Sequence, residues 1–312
     1  MRTALASLGA LALLGAGAAW WVTAPDPISA AELSGISGDA TRGEILFAAA
    51  GCASCHVAPD TPAADAPVLS GGQRFVTQFG TFVAPNISPS PQGVGNWTDA
   101  DLINAVMRGV SPEGQHYYPA FPWNAYNKAD VQDIADLVAY LRTLPPSAAE
   151  SLPHEIPFPF NIRRSVGGWK LLFEDRDFVV QGDLTPEQTR GRYLVEALGH
   201  CGECHTPRNA LGGLRRASWL AGAPDPAGDG HNPNITPAGL KWTEAQIVAM
   251  LQSGFTPEFD VVGGEMAEVV ANTSQLSDED RRAMAAYLKI VTPVDSPAPK
   301  PGTGDSSAEE AG

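Results

Sequence analysis

Cysteine is nearly absent from this chain: Cys52, Cys55, Cys201 and Cys204 are the only four in 312 residues. Four thiols cannot build a disulfide scaffold for a chain of this length, and pairing two that lie three residues apart closes a small, strained ring. Positive charge is scarce too. Twenty Lys and Arg stand against 35 Asp and Glu, a net charge of −15, which excludes a polyanionic partner such as nucleic acid. Strand-like alternation is sparse, so a thioredoxin-like βαβ setting for the cysteines has no support. Long apolar runs are limited to one, at the N-terminus, and no second membrane span follows.

What is present is concentrated in two pentapeptides. Cys52-Ala53-Ser54-Cys55-His56 and Cys201-Gly202-Glu203-Cys204-His205 use every cysteine. Cys-x-x-Cys followed at once by His is the pattern for covalent haem attachment. Two thiols three residues apart add to the two vinyl groups of one porphyrin, and the adjacent imidazole is carried under the iron as proximal ligand. A zinc site would need two ligand pairs at finger spacing. Here 149 residues separate Cys52 from Cys201, and each pair has its own His. The expected cofactors are therefore two covalently bound haem c groups.

The N-terminus bears on location. Ala4 to Val22 runs without a charge and ends in Trp20-Trp21; as a helix it would span roughly 28 Å, close to the thickness of a bilayer's hydrocarbon. A cleaved signal peptide normally has an apolar region of about 7–15 residues, and Ser29-Ala30-Ala31 offers a cleavage site. The longer run and the aromatic pair favour an uncleaved membrane anchor within 1–31. With Arg2 on the cytoplasmic side, both haem motifs would then lie on the outer side of the membrane, and cleavage would leave a soluble exported protein.

The chain repeats itself. Thr41-Arg42-Gly43 precedes the first motif and Thr189-Arg190-Gly191 the second. Pro85-Asn86-Ile87 and Pro233-Asn234-Ile235 follow, then Trp97-Thr98 and Trp242-Thr243. Gly109 and Gly254 each come twelve residues after the Trp, and Tyr140-Leu141-Arg142 and Tyr287-Leu288-Lys289 close the copies. Thr185-Pro186-Glu187-Gln188 reads as a capped helix start, as do Thr98 with Asp101 and Thr243 with Gln246. Terminal helices are expected from Asn127 and from Ser277. The organisation expected is an anchor or signal segment (1–31), domain 1 (32–147), a Pro-rich connector (148–180), domain 2 (181–293) and a disordered tail (294–312). Trp169 to Phe173 in the connector is too apolar for a free linker and is expected to pack across the domain interface or on a partner subunit.

The copies differ on the side opposite the histidine. Met266, twelve residues after Gly254 in a Gly-rich loop, is the candidate distal ligand of the second iron. Twelve residues after Gly109 stands Phe121, which cannot ligate. Met107, an open site and His116 are the alternatives for the first iron, in that order. Met107 also fits a core position beside Ile103 and Val106, and His116 an ordinary loop histidine. Met250 and Met284 fall in helical periodicity and read as core.

These residues resemble the membrane-anchored multihaem cytochrome c subunits that accompany periplasmic alcohol, aldehyde and gluconate dehydrogenases. The resemblance rests on both Cys-x-x-Cys-His motifs, Pro-Asn-Ile, Tyr118-Pro119-Ala120-Phe121-Pro122, the run from Ala197 to Asn209, and Gly264-Glu265-Met266-Ala267-Glu268-Val269-Val270. Familiar members have three haems and a Met where this chain has Phe121. The resemblance implies an all-α fold: two tandem class I cytochrome c domains whose long Gly/Pro loops wrap the haems, after one transmembrane helix. It implies an electron carrier with no substrate chemistry, taking electrons from a dehydrogenase catalytic subunit and passing them to a cytochrome, quinone or terminal oxidase. Cys52, Cys55, Cys201 and Cys204 would form the thioethers, His56 and His205 the proximal ligands. Arg208 would pair with a propionate or lie at the surface. A dihaem peroxidase with an open first haem, and His116 or Glu113 as its acid–base group, is the alternative. A thiosulfate-oxidising dihaem enzyme is a third, without the cysteine-ligated versions.

Overall fold

The computed structural model describes residues 2–62, 64, 66–225 and 230–295. Helix α1 (Arg2–Val22) comes first. The first repeat carries α2 (Ala40–Ala49), α3 (Cys52–His56), strands β1 (Arg74–Thr77) and β2 (Gly80–Val83), α4 (Asp99–Arg108), α5 (Trp123–Tyr126) and α6 (Val131–Leu141). Helix α7 (Ser165–Phe173) lies in the connector. The second repeat has α8 (Pro186–Arg192), which runs into a π-helical turn over Tyr193–Leu198, then α9 (Gly202–His205) and the short β3 (Ala223–Pro224) and β4 (His231–Asn232). Helices α10 (Glu244–Ser253), α11 (Glu265–Thr273) and α12 (Asp278–Ile290) complete it.

Each repeat is built on a close crossing of its first and last helices, and the Thr-Arg-Gly triplets explain it. Gly43 of α2 lies so near α6 that a Cβ there would sit 1.9 Å from the Asp136 carbonyl oxygen; at Gly191 of α8 it would sit 1.9 Å from that of Ala283. The arginine beside each glycine clamps the crossing. Arg42 donates to the Asp136 carboxylate at 2.7 and 3.0 Å, and Arg190 to that of Asp280 at the same two distances. Further landmarks do equal work in both copies. Arg142 donates to the Trp97 carbonyl and Lys289 to that of Trp242. Capping boxes at Thr98–Asp101, Thr185–Gln188 and Thr243–Gln246 start α4, α8 and α10, and Gly109 and Gly254 end α4 and α10 in the left-handed region. The core follows these helices: Leu46, Leu102, Ile134 and Leu137 in one copy, Leu194, Ile247, Met284 and Tyr287 in the other.

Three expectations are corrected. The chain is not all-α: β1 and β2 form an antiparallel ribbon, as do β3 and β4. In the first, residues 74–77 alternate in exposure, and Gly80, at a φ of 122°, lets the Glu155 carbonyl approach. Such four-residue strands inside Gly-rich loops carry too little periodicity to register in the sequence. Second, α1 forms over 21 residues, yet among the described residues no helix is long and apolar enough to cross a membrane. Ala, Gly and Ser fill much of α1, and they offer far less apolar surface than Leu or Ile. The transmembrane helix is therefore not supported. Third, the last helix of the first repeat begins at Val131 rather than Asn127, because Trp123–Tyr126 forms a turn of its own and Asn127 caps it. The expected tail lies outside the described residues from 296 onward.

The connector packs across the interface, the first of the two expected outcomes. Trp169 stacks edge-on against Trp123 at 5.9 Å and donates its indole N–H to the Leu211 carbonyl. Lys170 donates to the carbonyls of Arg108 and Gly109 at the end of α4, and a Cβ on Gly213 would meet the Phe173 ring at 2.5 Å.

Candidate haem-binding sites

Each cysteine pair sits on a short helix delivered by the longer helix before it. Tight turns make the delivery. Gly51 precedes Cys52 at a φ of 65°, and His200 precedes Cys201 at 39°. The first copy meets this left-handed requirement with glycine, the second with a residue that bears strain there.

Behind both motifs the same hydrogen bond recurs. His56 Nδ1 lies 2.9 Å from the Pro85 carbonyl and His205 Nδ1 lies 2.7 Å from that of Pro233. A carbonyl only accepts, so each Nδ1 carries the proton and each Nε2 keeps its lone pair for a metal. Burial holds both imidazoles below the usual histidine range, against the opposing pull of the proline carbonyls. Neutral imidazole is the state an iron ligand needs. The motif backbones are pinned alike: Gly71 N–H donates to the His56 carbonyl at 2.7 Å and Gly222 N–H to that of His205 at 2.8 Å. The asparagines after the prolines turn their loops, Asn86 accepting from Ser88 N–H and Asn234 from Thr236 N–H. Burial pushes the Cys52 and Cys204 thiols up to about 12, and those of Cys55 and Cys201 to about 11. All four are unpaired. Two neutral thiols, one neutral imidazole with a fixed tautomer and a wrapping loop are the donor set that haem c takes, and both copies have it.

The distal candidates fall in different surroundings. Met266 is half-buried at the start of α11, against the apolar core. Met107 is 5% exposed, with Leu102 and Ile103 among its buried helix neighbours. Its counterpart Gln252 is exposed, so this side of the helix faces outward in the second repeat. In the first repeat the N-terminal segment runs past the same helix: Asn104 accepts from Ile28 N–H at 2.7 Å and donates back to its carbonyl at 3.2 Å. His116 is 2% exposed, not the exposed loop residue that its neighbours suggest, and its Nε2 meets the Thr23 carbonyl at 2.9 Å. Phe121 lies between the rings of Tyr117 and Tyr126. Arg208 is committed to its own loop, to Glu203 and the Gly212 carbonyl.

Sequence reasoning missed what joins the two motifs. Asn272 Nδ2 of α11 donates to Ser54 Oγ, inside the first motif, at 2.8 Å. Glu265 lies 3.9 Å from the Cys204 thiol, and its charge also acts on Cys55. Tyr126 donates to the Ala50 carbonyl at 2.6 Å and packs edge-on against His200 at 5.5 Å. One signal was readable: His200 stands where the first copy has Gly51. Beside Cys204 opens a cavity of about 630 Å³, lined by aromatic rings that include Phe79, Tyr118, Phe160 and Trp169.

Residues 40–145 match the family model for cytochrome c, and residues 186–288 that for cytochrome c oxidase, cbb3-type, subunit III. A dihaem cytochrome c-type protein of Cereibacter sphaeroides is 55% identical over 296 residues, 95% of this chain and all of that protein. The chain belongs to the dihaem cytochrome c family. It holds two covalent haem c groups. The fructose dehydrogenase cytochrome subunit of Gluconobacter japonicus is 37% identical over 86% of this cytochrome, which spans 55% of that subunit. The gluconate 2-dehydrogenase cytochrome c subunit of Pantoea cypripedii is 34% identical over 82% of it, and 60% of that subunit is spanned.

Proposed function

We propose that this cytochrome carries electrons on the periplasmic side, from a dehydrogenase catalytic subunit to a downstream cytochrome, quinone or terminal oxidase. The observation that carries the reading is the pair of complete motifs, each with its histidine Nδ1 fixed by a proline carbonyl, brought together across the domain interface. The likeness to dehydrogenase cytochrome subunits supports it. Residues 32–147 and 181–293 are the two haem-binding units, joined by the 148–180 connector.

Cys52 and Cys55 would carry the first haem and Cys201 and Cys204 the second, and the Nε2 atoms of His56 and His205 would be left for the irons. Bound haem would supply a one-electron couple at each site. Met266 would supply the distal thioether for the second haem. Met107 packs rather than ligates, on the strength of its burial and of the exposed Gln252 at the equivalent position. His116 is held by the Thr23 carbonyl, so neither it nor Met107 would be offered to the first iron. The aromatic cavity beside Cys204 suits a quinone ring as acceptor.

The peroxidase alternative gains nothing. Its acid–base candidates are His116, tied to Thr23, and the exposed Glu113, and the relatives named above are cytochromes. Reductive titration of the full-length, haem-loaded protein tests the proposal: two electrons per chain with no peroxide turnover are expected. Fewer than two haems, or steady peroxide consumption, ends it.

A further inference from the structure

Between Gly43 and Cys52 lie nine steps of chain; between Gly191 and Cys201 lie ten. The second copy absorbs its extra residue as the π-helical turn over Tyr193–Leu198, where Gly199 N–H reaches back to the Leu194 carbonyl at 2.6 Å. Such turns are rare and recur at functional sites. Both ends of this one face the first domain. Tyr193 donates its hydroxyl to Asp133 at 2.6 Å. His200, just past the other end, lays its ring against Tyr126.

His200 adopts its left-handed backbone at a cost that Gly51 avoids in the same position. What the imidazole gains is contact with the first attachment peptide. Its Nε2 lies 3.9 Å from where a Gly51 Cβ would stand, and Asn272 Nδ2 lies 3.4 Å from the same point. The Ala50 carbonyl, one residue earlier, accepts from Tyr126, the ring on which His200 packs. Beside Gly51, Asn272 holds Ser54. The Cys52–His56 peptide and the glycine that leads into it are thus held at two points by the second domain: at Gly51 by the residue that leads into Cys201, and at Ser54 by the helix that carries Met266.

We infer that His200 and Asn272 lock the two haem-attachment peptides together and so set the rate at which electrons cross between the domains. Both are positioning residues; neither ligates iron. This rests on the dihaem electron-carrier reading above. The one-electron exchange between the irons is sensitive to their separation, and a fixed contact between the attachment peptides keeps that separation constant.

The test uses the full-length, haem-loaded cytochrome. His200→Gly removes the ring while relieving the backbone strain, so folding is not at risk; His200→Phe keeps a ring, and Asn272→Ala removes the second grip. Electron exchange between the haems, followed after photoreduction, is expected to slow about tenfold in His200→Gly and in Asn272→Ala, a change of about 1.4 kcal/mol. His200→Phe restores most of the rate. Midpoint potentials and haem spectra stay unchanged, and amides of residues 50–56 exchange faster with deuterium in both slowed variants. Unchanged exchange rates in His200→Gly and Asn272→Ala, at two haems per chain, overturn the inference. Fewer than two haems in the unaltered protein overturns the underlying reading instead.

Discussion

Arg42 and Asp136, 94 residues apart, are joined by two parallel hydrogen bonds that close the first domain. Asp136 is 1% exposed, while Arg42 lies at the surface. Burial raises the Asp136 carboxyl, but hydrogen bonds from Arg42, the Asp39 amide and Gln132 outweigh it and hold the group below the usual carboxylate range. A depressed folded-state value gives stability that is complete above the unfolded value, about pH 4, and lost as pH falls through the folded one. Asp136→Asn should therefore cost about 1–2 kcal/mol near neutrality, with the gap to wild type closing below about pH 4. Denaturant melts at pH 7 and pH 3 check this; an equal gap at both would rule out the carboxylate as its source.

The helix crossings leave no room for a side chain at their glycines. At Gly43 and Gly191 an added Cβ would meet a backbone carbonyl oxygen, which no side-chain rotation can move aside. Gly43→Ala and Gly191→Ala should each lose about 3 kcal/mol or more, and haem incorporation in the affected domain should fall with it. Gly168→Ala, where nothing lies within 4 Å of the added atom, is the control and should be near neutral. Thermal melts and haem content per chain read both.

Much of this was legible because repetition exposed it. Thr-Arg-Gly, Pro-Asn-Ile, Trp-Thr and the capping glycine are local signals, and each proves to have one job done twice. The connector's part in the domain interface was legible, but the direct contact between the second domain and the first motif was not. Ser54 and Asn272 are 218 residues apart, and no periodicity or cap announces such a contact. The π-helical turn was half visible: the spacing shows one extra residue, but a loop bulge would satisfy the same count. The short ribbons were hidden by their length, and α1 was misjudged because an uncharged run of Ala and Gly is not a strongly apolar one.

Glu196 shows how the second domain secures the connector. It is 1% exposed. Its carboxylate accepts from the amides of Val179 and Val180 and from the Tyr287 hydroxyl. Glu196→Ala leaves three donors without a partner and should cost about 3 kcal/mol, whereas Glu196→Gln keeps an acceptor and should cost about half that. Limited proteolysis should find a new cut near Phe178 to Asp183 in the alanine variant alone. Equal stability of the two variants would remove the network from the account.

The distal sides offer the sharpest contrast between the copies, and three substitutions separate the readings. Met266→Ala should abolish the long-wavelength absorption band of a sulfur-ligated ferric haem and leave one haem unaltered. Met107→Ala should leave every haem band in place but lower stability by about 2–4 kcal/mol, the cost of truncating a buried methionine. A lost or shifted band in that variant would instead make Met107 the first iron's ligand. Phe121→Met places a thioether at the position that Met266 holds in the second repeat, twelve residues beyond the glycine that ends the preceding helix. If the first iron lacks a strong distal ligand, this variant should gain a second sulfur band and convert a high-spin signal in the paramagnetic resonance spectrum to a low-spin one. Its midpoint potential should rise as well, since a thioether favours the reduced iron. A spectrum identical to wild type would mean that the first distal site is already filled by another group.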